Sequence, residues 1–141
     1  MPLMQKLLKK RRMAKSLPGP SKHSSWKELS CKDGTPYPNE WRSNRAVELA
    51  IVFERIRAIY DKPILILSAY RTENHNKKIG GAKNSQHKYG RALDLKPPNG
   101  ITVKQFYEDI KDNAVIFGIH GIGKYKTFVH IDIRPIDGIA Y

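Results

Sequence analysis

The chain has 141 residues, enough for one domain with a packed core and too few for two domains of ordinary size. Its 26 lysine and arginine residues against 13 acidic residues give a formal net charge of +13, and its single cysteine excludes an internal disulfide bond. No apolar run reaches the roughly 18 residues that a membrane-spanning helix needs. The fold must therefore be held by packing and, where suitable ligands exist, by a bound metal.

Residues 1–20 form a basic segment, for which we expect a flexible tail in front of a domain that spans residues 21–141. The first fifteen residues contain six lysines and arginines and no acidic residue. A short basic amphipathic helix is the alternative, because the leucines here lie at helical spacing, but an isolated helix of this length is marginal in water. The positive charge favours polyanions such as anionic wall polymers, an acidic membrane surface or nucleic acid.

The next stretch, residues 25–41, is predicted to be an ordered lead-in, since Trp26, Leu29 and Trp41 surround a Gly-Thr-Pro-Tyr-Pro turn. An amphipathic helix is predicted over residues 44–60. Its apolar residues recur in steps of three and four and form one stripe, made of Ala46, Leu49, Phe53, Ile56 and Tyr60.

The apolar run of residues 64–67 predicts a strand that is covered on both faces, and we expect it to be the central strand of a sheet. Its carboxyl end would deliver Ser68, Tyr70 and Arg71 to one rim of that sheet. In the loop that follows, Gly80 and Gly81 would let the backbone pass close to a bulky group.

Residues 91–95 alternate in polarity, which predicts a short strand with Asp94 on the functional face and its leucines on the core face. A second helix is predicted from a Thr102-x-x-Gln105 capping box to Gly118. Two further strands are predicted over residues 119–122 and 127–133. In the last strand the apolar residues alternate with His130 and Asp132, so one face packs and the other is available for function.

Three residues of this pattern are candidate ligands for a metal. His87 lies seven residues before Asp94 in the pattern Ser-x-His-x-x-Gly-x-Ala-x-Asp, and His130 lies in the sequence FVHIDIR. Each histidine alone would more often be an ordinary hydrogen-bonded residue. Asp94, however, stands in a strand of Ala and Leu, where burial of a carboxylate is costly without a cation. Two nitrogen ligands favour zinc over calcium, and three protein ligands leave one position for water.

The blocks SAYRTENHN, IGGA, SQHKYGRALDL and GIGKYKTFVHIDIR occur in this order between residues 25 and 134. In these blocks the chain resembles the zinc peptidases of bacterial cell walls, a family that includes D-alanyl-D-alanine carboxypeptidases and peptidoglycan-cutting phage endolysins. The resemblance implies one zinc ion per chain, held by His87, Asp94 and His130, and it favours zinc over iron. It also implies that Arg71 binds the substrate carboxylate or the polarised carbonyl, tasks that suit a planar guanidinium.

Asp132 is the expected general base, because it shares a strand face with the last histidine of the site. Some relatives instead carry an acidic residue three positions before that histidine, where this chain has Thr127. His120 and Glu73 are therefore alternative bases. The structural alternative for Asp132 is a partner that orients a ligand or pairs with Arg134.

Several further side chains are weaker candidates for lining a substrate cleft: Tyr70, Gln86, His120 and Tyr125, together with His75 and Tyr89. The expected architecture is a small α+β domain with an antiparallel-dominated sheet, helices packed against it and a zinc site at the sheet face.

The expected activity is hydrolysis of an amide bond in peptidoglycan stem or cross-link peptides, by a monomer. One alternative is a D,D-carboxypeptidase or dipeptidase that acts on short soluble peptides. Another is a noncatalytic zinc-bearing domain whose basic tail binds nucleic acid or a virion component. No Sec signal is recognisable in the N-terminal segment, which predicts an enzyme made in the cytoplasm of an infected or producing bacterium and acting on the cell wall.

Overall fold

The computed structural model of the chain describes residues 2–5 and 19–136. The sheet in this part is formed by four strands, which are β1 (Ile66–Ser68), β2 (Ala92–Leu95), β3 (Gly121–Lys124) and β4 (Val129–Asp132). It is accompanied by the helices α1 (Trp26–Leu29), α2 (Arg45–Tyr60), α3 (Glu73–Lys78) and α4 (Val103–Phe117), with 3₁₀ turns at Asn39–Trp41 and Gln86–Tyr89. The predicted α+β class is confirmed.

All strand pairs of the sheet are antiparallel, in the order β1-β2-β4-β3. The two inner strands, β2 and β4, carry the alternation that the sequence predicts. Leu93, Leu95, Val129 and Ile131 are buried in one hydrophobic core. Their alternate neighbours therefore share the opposite face of the sheet, which is where the polar residues of the predicted site lie.

The two long helices pack against the core side and confirm both helical predictions. Asn44 caps α2 by accepting a hydrogen bond from the backbone of Arg45, and the apolar stripe of α2 is buried up to Ile56, with Tyr60 half-buried. Thr102 caps α4, but the Gln105 side chain bonds to Asp109 instead of returning to the cap, so only half of the predicted capping box forms. The two helices meet at a hydrogen bond from the Tyr60 hydroxyl to Asp109.

The prediction that residues 64–67 form the central strand is wrong. The strand starts at Ile66, and it lies at the edge of the sheet, where it pairs with β2 alone. Ile64 and Ile66 are buried, whereas Leu65 is 54% exposed, so the apolar run is covered on one face only. A continuous apolar run does not by itself specify burial on both faces, because strand order depends on residues far away in the chain.

The lead-in is ordered, and it packs on the loop that follows α3. Tyr37 is buried, and its hydroxyl donates a hydrogen bond to the carbonyl of Gly90. Trp41 and Tyr70 lie edge-on to Tyr37 and to each other. Gly90 has a φ of 65°, and a side chain there would collide with Tyr37 and Trp41, so this glycine both turns the chain and admits the aromatic cluster.

No helix among the described residues has the length and apolar character required to cross a membrane. Of the predicted basic tail, residues 6–18 lie outside the described residues, so the alternatives of a flexible tail and an amphipathic helix concern a part of the chain that the structure does not describe.

Glu54 on α2 anchors the start of the domain. Its carboxylate accepts hydrogen bonds from the Ser21 hydroxyl and from the backbone and ring of His23. Because hydrogen bonds to a charged group are worth about 1.5–3 kcal/mol, Glu54→Gln should lower the free energy of unfolding by about 1–3 kcal/mol at neutral pH. Denaturant unfolding measures this loss, and Glu48→Gln, at an exposed position on the same helix, is the matched control.

The pH dependence of this loss follows from the pKa of Glu54. Burial raises this pKa, but hydrogen bonds from His23 and Ser21 outweigh burial and keep it below its ordinary value of 4.5. The contribution of Glu54 to the free energy of unfolding is therefore complete above pH 4.5, and it is lost as the pH falls through the folded-state pKa. A difference between wild type and Glu54→Gln that stayed constant into acid would contradict this explanation.

Candidate metal centre

The register of the two inner strands brings two of the predicted ligands together. Asp94 on β2 is the direct partner of His130 on β4, and both side chains leave the sheet on the polar face. His87 reaches the same point from the 3₁₀ turn Gln86–Tyr89, whose first turn is capped by Ser85. One ligand atom from each of the three residues lies within 4.8 Å of the other two.

The hydrogen bonds of the two histidines define which ring nitrogen each presents. His87 Nδ1 lies 2.6 Å from the carbonyl oxygen of Ala69 and must donate to it, so the lone pair is on Nε2, 3.1 Å from Asp94 Oδ1. His130 Nε2 lies 2.8 Å from Asp132 Oδ2, and its Nδ1 lies 3.0 Å from the same Asp94 oxygen. When both imidazoles are neutral, the lone pairs of His87 Nε2 and His130 Nδ1 and the carboxylate of Asp94 converge on one point. Such a set of donors needs a cation and fits a bound metal.

The charges of the centre lead to the same conclusion. Burial by itself would lower the pKa of His130, but its hydrogen bonds with Asp132 and Asp94 raise this pKa to about 9. For Asp94, burial is likewise outweighed, and the hydrogen bonds and charges of the two histidines hold its pKa below the ordinary value. The negative charge of the buried carboxylates can thus be balanced either by a proton on His130 or by a metal ion at the point of convergence.

Asp132 is fully buried, and its carboxylate is not one of the three groups that converge. Its Oδ1 accepts hydrogen bonds from the backbone and Nε of Arg134, and its Oδ2 accepts from Arg134 Nη2 and His130 Nε2. Burial raises the pKa of Asp132, but the contacts with Arg134 and His130 outweigh it and hold this pKa below its usual range. The carboxylate therefore contacts His130 on the side opposite to Asp94, which is the arrangement of a partner that orients a ligand.

Gly121 makes room for this carboxylate. It is the partner of Asp132 in the β3–β4 ladder, and a side chain at position 121 would collide with both carboxylate oxygens. The sequence did not predict this role, and its only signal was a glycine inside the strand predicted over residues 119–122.

Arg71 is held by three side chains. Its Nε donates to Ser68, its Nη1 to Asn76 and its Nη2 to Asp94 Oδ2, the carboxylate oxygen that the histidines do not contact. Asn76 on α3 is buried, and Gly81 passes so close to it that a side chain at position 81 would collide with the amide. The close neighbour expected beside the two glycines is therefore Asn76 at Gly81, whereas Gly80 has open space around it and serves the turn through its φ of 73°. The sequence alone did not identify Asn76 as functional.

The candidate centre opens into a cleft of about 650 Å³. Its walls include the loop of Gly80 and Gly81, the stacked rings of Tyr125 and Phe128, and the side chains of Arg71, Gln86 and Arg134. The Oε1 atom of Gln86 is buried and has no hydrogen-bond partner among the described residues. Of the weaker candidates, Gln86 and Tyr125 thus line the cleft.

The other candidates lie outside this cleft. Tyr70 belongs to the aromatic cluster of the lead-in, and His120 lies in a separate, smaller cleft beside α2. Glu73 is exposed and pairs with Lys88 on the surface. Tyr89 lies under the Lys88 ammonium, and its carbonyl accepts a hydrogen bond from Arg45. A residue that lies near a site residue in the sequence need not point into the cleft, because successive side chains point in different directions.

A model of the Peptidase M15 family matches residues 23–132 of the chain. Among curated proteins, the zinc D-Ala-D-Ala carboxypeptidase of Streptomyces albus G is 39% identical to it over 54 residues. This match covers 38% of the chain but only 21% of the Streptomyces protein, so it spans about one fifth of that relative's length. The family model, by contrast, covers most of the chain and includes His87, Asp94 and His130. The chain belongs to the Peptidase M15 family.

Proposed function

We propose that the chain is a zinc-dependent peptidase that hydrolyses an amide bond in peptidoglycan stem or cross-link peptides. The observation that carries the proposal is the convergence of His87 Nε2, Asp94 Oδ1 and His130 Nδ1 at the base of an open cleft. Two imidazoles and one carboxylate are a common ligand set for catalytic zinc, which leaves one coordination position for water or substrate. The zinc named for the Streptomyces relative supports the choice of metal.

Zinc supplies Lewis-acid polarisation of a carbonyl and acidifies water when it is bound at such a site. The residues of the chain position the other groups. Arg71 presents a guanidinium whose orientation is fixed by Ser68, Asn76 and Asp94, so it can stabilise negative charge on the substrate without reorganising.

The proposal is tested by mass spectrometry of the products released from purified peptidoglycan, with and without a chelator. We expect defined stem-peptide fragments whose release stops on chelation and resumes when zinc is restored. Absence of cleavage, combined with salt-dependent binding to DNA, would contradict the proposal and favour the noncatalytic alternative.

A carboxypeptidase that trims a free peptide end is the second candidate, and the name of the Streptomyces relative favours it. An endolysin-like enzyme must accept intact cross-linked walls, whereas a carboxypeptidase needs only a short soluble peptide with a free carboxylate. The same mass spectra separate the two, since loss of a single terminal D-alanine identifies a carboxypeptidase and release of linked fragments identifies an endopeptidase.

We further propose that Asp132 orients His130 and is not the general base. Loss of such a partner typically costs about 10- to 100-fold in metal affinity or activity. Asp132→Asn should therefore weaken zinc binding by about this factor and recover most of its turnover at saturating zinc. Competitive zinc titration and turnover measured over a range of zinc concentrations test this, with Asp112→Asn on the exposed side of α4 as the matched control.

The two roles of Asp132 predict different results. If Asp132 were the base, the variant would keep its zinc affinity and lose about 10²- to 10⁴-fold in rate at any zinc concentration.

The basic N-terminal segment is proposed to attach the enzyme to anionic wall polymers or membranes. Gly19 is buried against Ser24, so the cleanest truncation removes residues 1–18. We expect this truncation to leave cleavage of a small soluble peptide almost unchanged and to weaken salt-sensitive sedimentation with anionic walls, because the six positive charges act at long range. Loss of peptide cleavage in a folded truncated protein would contradict the expectation.

A further inference from the structure

A second group of metal-ligating side chains lies outside the cleft. It consists of Cys31 and Asp33, in the loop after α1, and His75 on α3. One donor atom from each residue, the Cys31 sulfur, a carboxylate oxygen of Asp33 and a ring nitrogen of His75, lies within 4.8 Å of the other two. None of these residues contributes to the metal centre described above.

The loop presents its two donors through a tight turn. The backbone N–H of Cys31 donates to the carbonyl of Thr35, and the N–H of Gly34 donates to the carbonyl of Cys31. Gly34 has a φ of 97°, which only glycine adopts without strain. Asp33 is fixed inside this turn, because its Oδ1 accepts a hydrogen bond from the Thr35 backbone. The Cys-x-Asp spacing thus places a thiol and a carboxylate on one side of a closed turn.

Thr72, the N-cap of α3, joins this turn to His75. Its hydroxyl donates to Asp33 Oδ2 and accepts a hydrogen bond from the His75 backbone, and it lies 3.9 Å from the Cys31 sulfur. Within the described residues the His75 ring makes no hydrogen bond, so its nitrogens are available. Cys31 is buried, His75 is half-buried and Asp33 is exposed, so an ion would enter from the side of Asp33 and His75.

We propose that Cys31, Asp33 and His75 form a second metal site, which binds one divalent ion such as zinc. Thiolate and imidazole are ligands that select zinc over calcium or magnesium, and the carboxylate completes three protein ligands around a tetrahedral ion. The site links two segments that are distant in sequence. A bound ion fixes α3 to the lead-in, and α3 carries Asn76, which holds Arg71. The second metal therefore supports one wall of the cleft through the position of α3, and water fills the fourth position of the tetrahedral ion.

Cobalt(II) titration of the chelator-treated full chain tests this proposal, because cobalt bound by a thiolate has an intense near-ultraviolet charge-transfer band that cobalt bound only by imidazole and carboxylate lacks. The chain has one cysteine, and the metal centre of His87, Asp94 and His130 offers only nitrogen and oxygen. A charge-transfer band can therefore come only from Cys31. Circular dichroism shows that each protein is folded before titration.

We expect the wild-type protein to develop this band with a saturable dependence on cobalt. Cys31→Ser should lose the band, and His87→Ala should retain it while losing binding at the other centre. Because Cys31 is buried and its replacement risks misfolding, His75→Ala and Asp33→Asn are the decisive variants. Both keep the thiol, and each should raise the cobalt dissociation constant read from the band by at least about tenfold. His120→Ala and Asp112→Asn are the matched controls and should leave it unchanged.

Two results would overturn the proposal. One is the absence of a charge-transfer band in the folded wild-type protein at saturating cobalt. The other is a band whose strength and dissociation constant do not change in either His75→Ala or Asp33→Asn, since this would show that cobalt binds the cysteine thiol alone.

Discussion

Replacing His87 with alanine should remove tightly bound zinc and peptidase activity together. His87 is 2% exposed, its ring is fixed by the Ala69 carbonyl, and its Nε2 points at the oxygen of Asp94 that His130 also faces. Since removal of one group that stabilises transition-state charge already costs about 10²- to 10³-fold in rate, loss of the metal should lower turnover by more than about 10³-fold. Zinc content after dialysis and turnover on a stem peptide measure the two effects.

The same variant should have a lower melting temperature that no longer responds to zinc, because a ligand that binds only the native state stabilises it by mass action. His130→Ala should show the same loss of zinc and of melting temperature. Because His130 is less buried than His87, this variant separates loss of the metal from the effect of a cavity left at His87. His120→Ala is the matched control and should retain its zinc, as its ring lies in a separate cleft. A His87→Ala protein that kept a full equivalent of tightly bound zinc would show that the ligand assignment is wrong.

The second large effect is expected at Arg71. Arg71→Ala should lower kcat/KM by about 10²- to 10³-fold while zinc remains bound, because the guanidinium contacts Asp94 through the oxygen that does not face the histidines. Arg71→Lys should recover only part of this loss, as an ammonium cannot reproduce the contacts with Ser68, Asn76 and Asp94.

The distribution of this loss between kcat and KM identifies the group that Arg71 binds. A higher KM with unchanged kcat indicates a carboxylate of the substrate that is bound equally in the ground and transition states. A lower kcat indicates the carbonyl whose charge develops only in the transition state. Arg55→Ala, an exposed arginine on α2, is the matched control. Near-normal kcat/KM in a zinc-loaded Arg71→Ala protein would exclude both roles.

Local patterns predicted much of the fold because they reflect local physics. The helix periodicity of residues 44–60 and 102–118 was sufficient to predict α2 and α4, since a helix buries one stripe wherever it packs. The strand predicted over residues 127–133 is shorter in the structure, Val129–Asp132, but its alternation was correct. Strand ends depend on which partner continues the ladder, and this partner is not encoded locally.

The position of β1 was beyond local analysis for the same reason. A run of four apolar residues is compatible with a central or an edge strand, and only the pairing of β2 with β4 places β1 at the edge. The second group of donors was equally invisible in the sequence, because His75 lies more than forty residues after Cys31 and Asp33. The contact of Thr72 with the lead-in brings them together.

At the candidate metal centre, the sequence by itself determined the residue types and, for Asp94 and His130, the strand face from which each projects. The spacing between His87 and Asp94 and the alternation around His130 follow from chain geometry, so the three candidate ligands could be named without a structure. The tertiary structure decided what each polar atom contacts. It pairs Asp132 with Arg134 and with the outer nitrogen of His130, and it fixes Arg71 through Asn76. Two residues on the same strand face thus have different contacts, because distant segments supply the atoms that lie within hydrogen-bond distance of each.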